Sequence, residues 1–223
     1  MSFWRKVGAI TWKDALTELR TKEVVFTVLV FAILVIVIFN FAFGTTSEAV
    51  ALVGPGILWV TFAFSGVLSL NRAFIAEREA GCLEALMAAP MSREAVYVGK
   101  MLASLISMLV VEIVALPVFA VFFNLDVFSL PLIVTTLLAT IGFVAVGTLF
   151  SALAVNTRAR EMVLPILFLP IVVPVIISAV KASGIALTGG SWSDVFQWLQ
   201  IILAFDAIFL VVAYLVFGYV IEE

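Results

Sequence analysis

Histidine is absent from this chain of 223 residues, and cysteine occurs once, at Cys82. A single cysteine excludes an internal disulfide, and the lack of histidine removes the commonest general base and the commonest metal ligand. Charged residues make up 12% of the chain and hydrophobic residues 65%, whereas soluble domains are about a quarter charged. A soluble fold of this size could not bury so much apolar surface, so the composition predicts a polytopic membrane protein.

Motifs for catalysis and nucleotide binding are also missing from the sequence. The pair Gly99-Lys100 is followed by Met101 and lacks the first glycine of a phosphate-binding loop. There is no dinucleotide fingerprint, no Cys/His metal spacing and no Ser/His/Asp set. The chain is therefore not expected to be an enzyme or to bind a cofactor directly, and any ATP used in its function would be bound by another subunit.

Six apolar runs are long enough to cross a bilayer, which takes roughly 20 residues as a helix. The predicted spans are 24–43, 49–74, 101–123, 130–155, 162–180 and 195–221. Strand-period alternation is absent, so the predicted fold is all-α, with residues 1–223 forming a single transmembrane domain. The first apolar run lacks a convincing cleavage site and is interpreted as an uncleaved span.

Lysine and arginine are segregated along the chain. Eleven of the twelve lie in the N-terminal segment or in the second-to-third and fourth-to-fifth connections, and Lys181 alone lies in an opposite connection. Because cytoplasmic loops carry the excess of these residues, the pattern predicts that both termini are cytoplasmic. The predicted outer connections, 44–48, 124–129 and 181–194, are short.

Residues 1–23 are too charged to span the membrane. Apolar side chains recur there at roughly helical spacing, with charged residues between them: Phe3, Trp4, Val7, Ile10 and Trp12. The pattern predicts an amphipathic helix in the cytoplasmic interface, with tryptophan at the level of the lipid headgroups. A partly ordered tail is the alternative.

A second amphipathic helix is predicted at 76–89. Its apolar residues form one narrow stripe: Ala76, Ala80, Leu83 and Met87. Pro90 disfavours helix at the residue before it, and Ser92 is a suitable N-cap for the helix that leads into the third span. From the residues alone, this helix either lies on the membrane surface or docks in a groove of a soluble partner.

The same segment resembles the signature of ABC-2-type export permeases, through Glu77-Arg78-Glu79-x-Gly81-x-Leu83-Glu84-x-Leu86, then Pro90, Ser92 and Gly99-Lys100. The resemblance implies that 76–89 is a coupling helix that inserts into a nucleotide-binding subunit. The residues it implies for docking that ATPase subunit are Glu77, Gly81, Leu83, Glu84, Leu86 and Pro90. The signature does not specify a substrate.

A narrower resemblance, to the CcmB family, is carried by three segments. These are Gly-Pro-Gly-Ile-Leu-Trp-Val at 54–60, Ser-Leu-Asn-Arg-Ala-Phe at 69–74 and the double-proline segment at 169–177. Asn71 departs from the family pattern, in which an acidic residue is expected. The resemblance implies the permease subunit of a haem exporter for c-type cytochrome maturation, in the bacterial cytoplasmic (inner) membrane.

The CcmB resemblance also implies partners. They are an ATP-binding cassette subunit (CcmA-like), other membrane subunits (CcmC-like and CcmD-like) and a haem chaperone (CcmE-like). Haem would be the transported or handled species, with ATP on the partner subunit. Because one six-helix half lacks a two-sided pathway, a second copy of the chain is expected. A generic ABC-2 exporter of a lipid, drug or polysaccharide is the alternative.

Two acidic residues lie inside predicted spans, Glu112 in the third and Asp206 in the sixth. Each costs about 2.5–3.5 kcal/mol at a helix centre, so both are expected to face the bundle or a partner. Interhelical hydrogen bonding, contact with a partner membrane subunit and a proton or substrate relay remain open. An ion-coupled secondary transporter using both acids is the alternative of another class, although the inverted repeats expected for it are not seen.

Overall fold

The computed structural model describes residues 2–21, 23–43, 47–79, 92–155 and 164–220. Within these ranges, the regular elements are helices: α1 (Phe3–Thr21), α2 (Glu23–Phe43), α3 (Ser47–Glu79), α4 (Arg93–Phe123), α5 (Leu130–Val155), α6 (Leu169–Leu187) and α7 (Trp192–Val220). A π-helical turn at Leu164–Phe168 leads directly into α6. The all-α fold predicted from composition is confirmed over the described part of the chain.

Six of these helices, α2 to α7, are long and apolar enough to cross a membrane, counting described residues only. α4 begins at Arg93, directly after the predicted N-cap Ser92, and continues through the predicted start of the third span at 101. One predicted connection is shorter in the structure. α6 continues through Lys181 to Leu187, so the predicted outer connection 181–194 is too long. No proline interrupts 181–187, and the helix ends only where Thr188 and the positive-φ Gly189 follow.

The helix α5 is enclosed by the others. It packs against α3, α4, α6 and α7, and its glycine and serine allow α3 to approach closely. Leu70 of α3 lies directly against Gly147, and Ser151 Oγ donates to the Leu70 carbonyl at 3.1 Å. The same kind of contact occurs with the roles exchanged, because Gly66 of α3 lies against the ring of Phe143 of α5. Small residues four apart on α5 thus serve packing within the chain.

The C-terminal end of α3 and the N-terminal end of α4 extend past the N-terminal end of α2, on the side predicted to be cytoplasmic and called the inner side here. At the opposite side, Asn40 Nδ2 of α2 donates to the Phe122 carbonyl of α4 at 2.6 Å, and these two spans run in the same direction. Because a helix rises about 1.5 Å per residue, Val25 lies roughly level with Ser107. Residues 93–106, called here the inner extension of α4, therefore project by about 20 Å.

Candidate functional site

Most of the predicted docking residues for an ATPase subunit lie outside the described residues: Gly81, Leu83, Glu84, Leu86 and Pro90. Glu77 belongs to α3, but its side chain is also outside the part that the structure describes. The docking assignment therefore stays a prediction. The structure does describe the two helices that border this segment, α3 up to Glu79 and α4 from Arg93.

The helix α4 starts where the sequence predicts, directly after Ser92, but Ser92 does not cap it through its side chain. Ser92 has an extended backbone (φ −73°, ψ 142°) at the N-cap position. Its carbonyl accepts hydrogen bonds from the N–H groups of Ala95 and Val96, at 3.0 and 3.3 Å. Its side chain makes no capping hydrogen bond. Glu94 lies in the first turn, where a carboxylate interacts favourably with the helix dipole.

The N-terminal helix α1 packs along the inner extension of α4. Ile10 is buried against Gly99, where a Cβ would come within 2.8 Å of the Cβ of Ile10. Beside this contact, Thr11 Oγ1 donates to the Gly99 carbonyl at 3.1 Å. Trp4 and Trp12 do not take part in this contact, and their side chains remain 72% and 71% exposed. Thus α1 has one face against the protein and one flank that exposes two indole rings.

Charged side chains on α1 extend this contact along α4 as far as Ser107. Lys100 Nζ lies 3.4 Å from Asp14 Oδ2, and the Lys100 side chain is only 4% exposed. The Glu18 carboxylate accepts hydrogen bonds from Ser107 Oγ at 2.5 Å and from Ser69 Oγ at 3.4 Å. Burial raises the pKa of Glu18, while the two serine hydrogen bonds oppose that shift and the Asp14 charge adds to it. Glu18 thereby joins α1 to both α3 and α4.

No role of these polar residues of α1 was predicted from the sequence. Thr11, Asp14 and Glu18 recur at intervals of three and four residues and therefore share one helical face. Ile10 borders the same face. An isolated interfacial helix would turn its acids to water, so acids that share a face with an isoleucine were the sequence signal for a protein contact.

The two intramembrane acids are buried and lie apart. Glu112 is 2% exposed and accepts a hydrogen bond from Thr140 Oγ1 of α5 at 2.5 Å. Asp206 is 5% exposed and packs on Gly142 of α5, where any Cβ would overlap its Oδ1. Two residues along a helix turn the side-chain direction by about 200°. Thr140 and Gly142 therefore face opposite sides of α5, and so do the two acids.

The surroundings of the two acids bear on one of their interpretations. Glu112 makes an interhelical hydrogen bond, whereas Glu112 Oε2 and Asp206 Oδ1 have no hydrogen-bond partner among the described residues. In the same described part, no three His, Cys, Asp or Glu side chains cluster as a metal site would require. The geometry gives no support to a secondary transporter that uses both acids at one common site.

The residues that carry the CcmB resemblance on α3 lie where α3 meets other helices. Trp59 Nε1 donates to Ser183 Oγ of α6 at 2.9 Å. One turn earlier, Pro55 packs on Gly184, where a Cβ would lie 3.4 Å from the proline ring. Leu70 contacts α5, as described above. These motif residues form packing contacts between helices.

Comparison with known proteins finds one family along most of the chain. Residues 5–222 match the family model described as CcmB protein. Heme exporter protein B of Rhodobacter capsulatus is 36% identical over 150 residues, which cover 67% of this chain and 69% of that protein. Heme exporter protein B of Bradyrhizobium diazoefficiens is 30% identical over 184 residues, or 82% and 83%. The protein of the same name from Pseudomonas aeruginosa is 29% identical over 177 residues, or 79% of each.

Proposed function

The chain belongs to the CcmB family, and we propose that it is the membrane permease subunit of an ATP-driven haem export system that serves c-type cytochrome maturation. As a CcmB protein it is a multi-pass membrane component of a haem export system. The family match over residues 5–222 is the observation that carries the proposal. The proposed location is the bacterial inner membrane, with both termini cytoplasmic.

In this proposal, ATP energy reaches the chain through residues 76–90. The sequence contains no phosphate-binding loop, so a separate ATP-binding cassette subunit (CcmA-like) hydrolyses the ATP. Leu83 lies on the apolar stripe of the predicted helix, which suits insertion into a groove. Glu77 and Glu84 lie beside the stripe, where their charges favour a basic rim on the partner.

We propose that haem is handled mechanically. Haem iron in proteins is held by axial His, Met, Cys or Tyr ligands, and the commonest of these, histidine, does not occur in this sequence. ATP-driven motion of the bundle would release a haem-loaded chaperone (CcmE-like) from a neighbouring membrane subunit (CcmC-like, with a CcmD-like subunit). A second copy of this chain would complete the membrane unit.

A haem-stained gel of c-type cytochromes tests this function. Deleting the gene is expected to abolish covalent haem staining, and the wild-type gene should restore it. Leu83→Asp should fail to restore it, because it places a charge on the docking stripe. Ala89→Asp is the matched control, since residue 89 lies at least about 60° around the predicted helix from Gly81, Leu83, Glu84 and Leu86. Unchanged staining after deletion would contradict the haem function and favour a generic ABC-2 exporter.

A further inference from the structure

The helix α1 contacts α4 at three positions, which lie along the inner extension and at Ser107 just beyond it. Ile10 and Thr11 meet Gly99, Asp14 meets Lys100, and Glu18 meets Ser107. From Gly99 to Ser107 these contacts cover about 12 Å along α4. A helix held only by lipid would not need matched partners at each level.

Residues 99 and 100 of α4 are suited to α1 in particular. Glycine at 99 leaves room for Ile10, which a larger residue would displace. The Lys100 ammonium is almost fully enclosed and needs an opposite charge, which Asp14 supplies. The Gly-Lys pair, which from sequence belongs to the export-permease signature, therefore forms part of the contact with α1.

Glu18 adds α3 to the contact. Its two oxygens accept hydrogen bonds from Ser69 on α3 and Ser107 on α4, roughly at the level where α2 enters the membrane. These are the two helices that border the connection proposed to dock the ATPase. On the far side of α4, Tyr97 donates to the Ala145 carbonyl of α5 at 3.1 Å. The inner part of α4 is thus held by α1 on one side and by α5 on the other.

We propose that α1 is a brace that ties α3 to α4, so that a displacement imposed on their inner ends moves both helices and α5 together. Glu18 positions α1 against α3 and α4, and Gly99 provides the space in which Ile10 of α1 packs on α4. This inference rests on the proposed function, because it supposes that an ATPase subunit imposes the displacement. Loss of the brace would leave ATP hydrolysis in place but disconnect it from haem delivery.

The variants Gly99→Ala and Glu18→Ala test the brace in the complete complex. Gly99→Ala pushes Ile10 away from α4, and Glu18→Ala removes the acceptor that joins the two serines. Gly8→Ala is the matched control, because it makes the same change on α1 where a Cβ would meet nothing within 4 Å. Three quantities are measured for each: co-purification of the ATPase subunit, ATP turnover, and haem attachment to c-type cytochromes.

Both brace variants are expected to keep the ATPase subunit and its turnover while haem attachment falls about tenfold, a factor within the usual range of coupling between two sites. Gly8→Ala should match wild type. Wild-type haem attachment in both brace variants would overturn the proposal. Loss of the ATPase subunit together with attachment would overturn it too, since α1 would then support only folding or docking. If haem attachment does not depend on the wild-type gene at all, the proposed function fails instead.

The charge-swapped pair Asp14→Lys with Lys100→Asp gives a second test in the same assay. Lys100→Asp alone places two acids together and should lower haem attachment. The double variant restores an opposite-charge pair and should recover most of it. Equal defects in the single and double variants would show that the contact between α1 and α4 is not what matters.

Discussion

The contact between Asp206 and Gly142 predicts that alanine at position 142 will destabilise the bundle. Gly142 lies where α7 crosses α5, and a Cβ there would overlap Asp206 Oδ1 and come within 3.2 Å of the Phe205 ring. Both neighbours belong to α7, so neither can yield without moving that helix or rotating the acid away from its buried position. The substitution should therefore push α7 from α5.

The magnitude follows from two opposing terms. Overpacking of this kind costs about 1–3 kcal/mol, whereas replacing glycine by alanine inside a helix gains up to about 1 kcal/mol. Gly142→Ala should lower the free energy of unfolding by about 1–2 kcal/mol. In an Asp206→Ala background the main overlap is absent, so the same change should become neutral or stabilising.

The assay is the free energy of unfolding in mixed micelles of detergent and sodium dodecyl sulfate, for the two single variants and the double variant. Gly56→Ala is the matched control, because it lies in the α3 span and a Cβ there meets nothing within 4 Å. An energetic coupling of at least about 1 kcal/mol between positions 142 and 206 is expected for residues in contact. Equal effects of Gly142→Ala in both backgrounds would refute the packing argument.

Three further predictions use the same unfolding measurement. Trp59→Phe should cost about 1 kcal/mol through the lost hydrogen bond to Ser183, and an unchanged stability would show that this bond contributes nothing. Thr140→Val should cost about 1–3 kcal/mol because it removes the donor to buried Glu112, so a neutral result would contradict the interhelical bond. The raised pKa of Glu18 means that folding favours its protonated form. Its stabilising contribution is therefore complete below pH 4.5, its ordinary pKa, and is lost as the pH rises through the pKa that Glu18 has in the folded protein. Wild type should therefore lose stability relative to Glu18→Gln over that window, and parallel pH profiles would contradict the burial.

The six spans could be predicted from sequence because membrane crossing depends on composition over about 20 residues, which is a local property. Helix ends were harder to predict. The charge of Lys181 suggested an outer loop, but a helix can continue past the apolar region when no residue interrupts it. The start of α4, by contrast, was predicted, because Ser92 suits an N-cap and the helix begins at Arg93 in the structure.

The partners of polar residues could not be predicted from one sequence. Lys100 and Asp14 are 86 residues apart, and nothing local to Lys100 indicates which acid neutralises it. Glu112 and Asp206 were correctly placed inside spans, but the sequence does not show that they face opposite sides of α5. Gly142 had no distinguishing feature until Asp206 was found packed against it.

The most direct test of the account is whether the ATPase subunit stays bound when the docking stripe is changed. Membranes that contain wild type, Leu83→Asp or Glu84→Lys are solubilised, the tagged chain is purified, and the amount of co-purified ATPase subunit is measured. Ala89→Asp serves as the control, and equal recovery of the tagged chain shows that each variant is inserted. The account predicts that wild type and Ala89→Asp retain the subunit while Leu83→Asp and Glu84→Lys lose it. Normal co-purification of both docking variants would contradict the claim that ATP energy enters through residues 76–90.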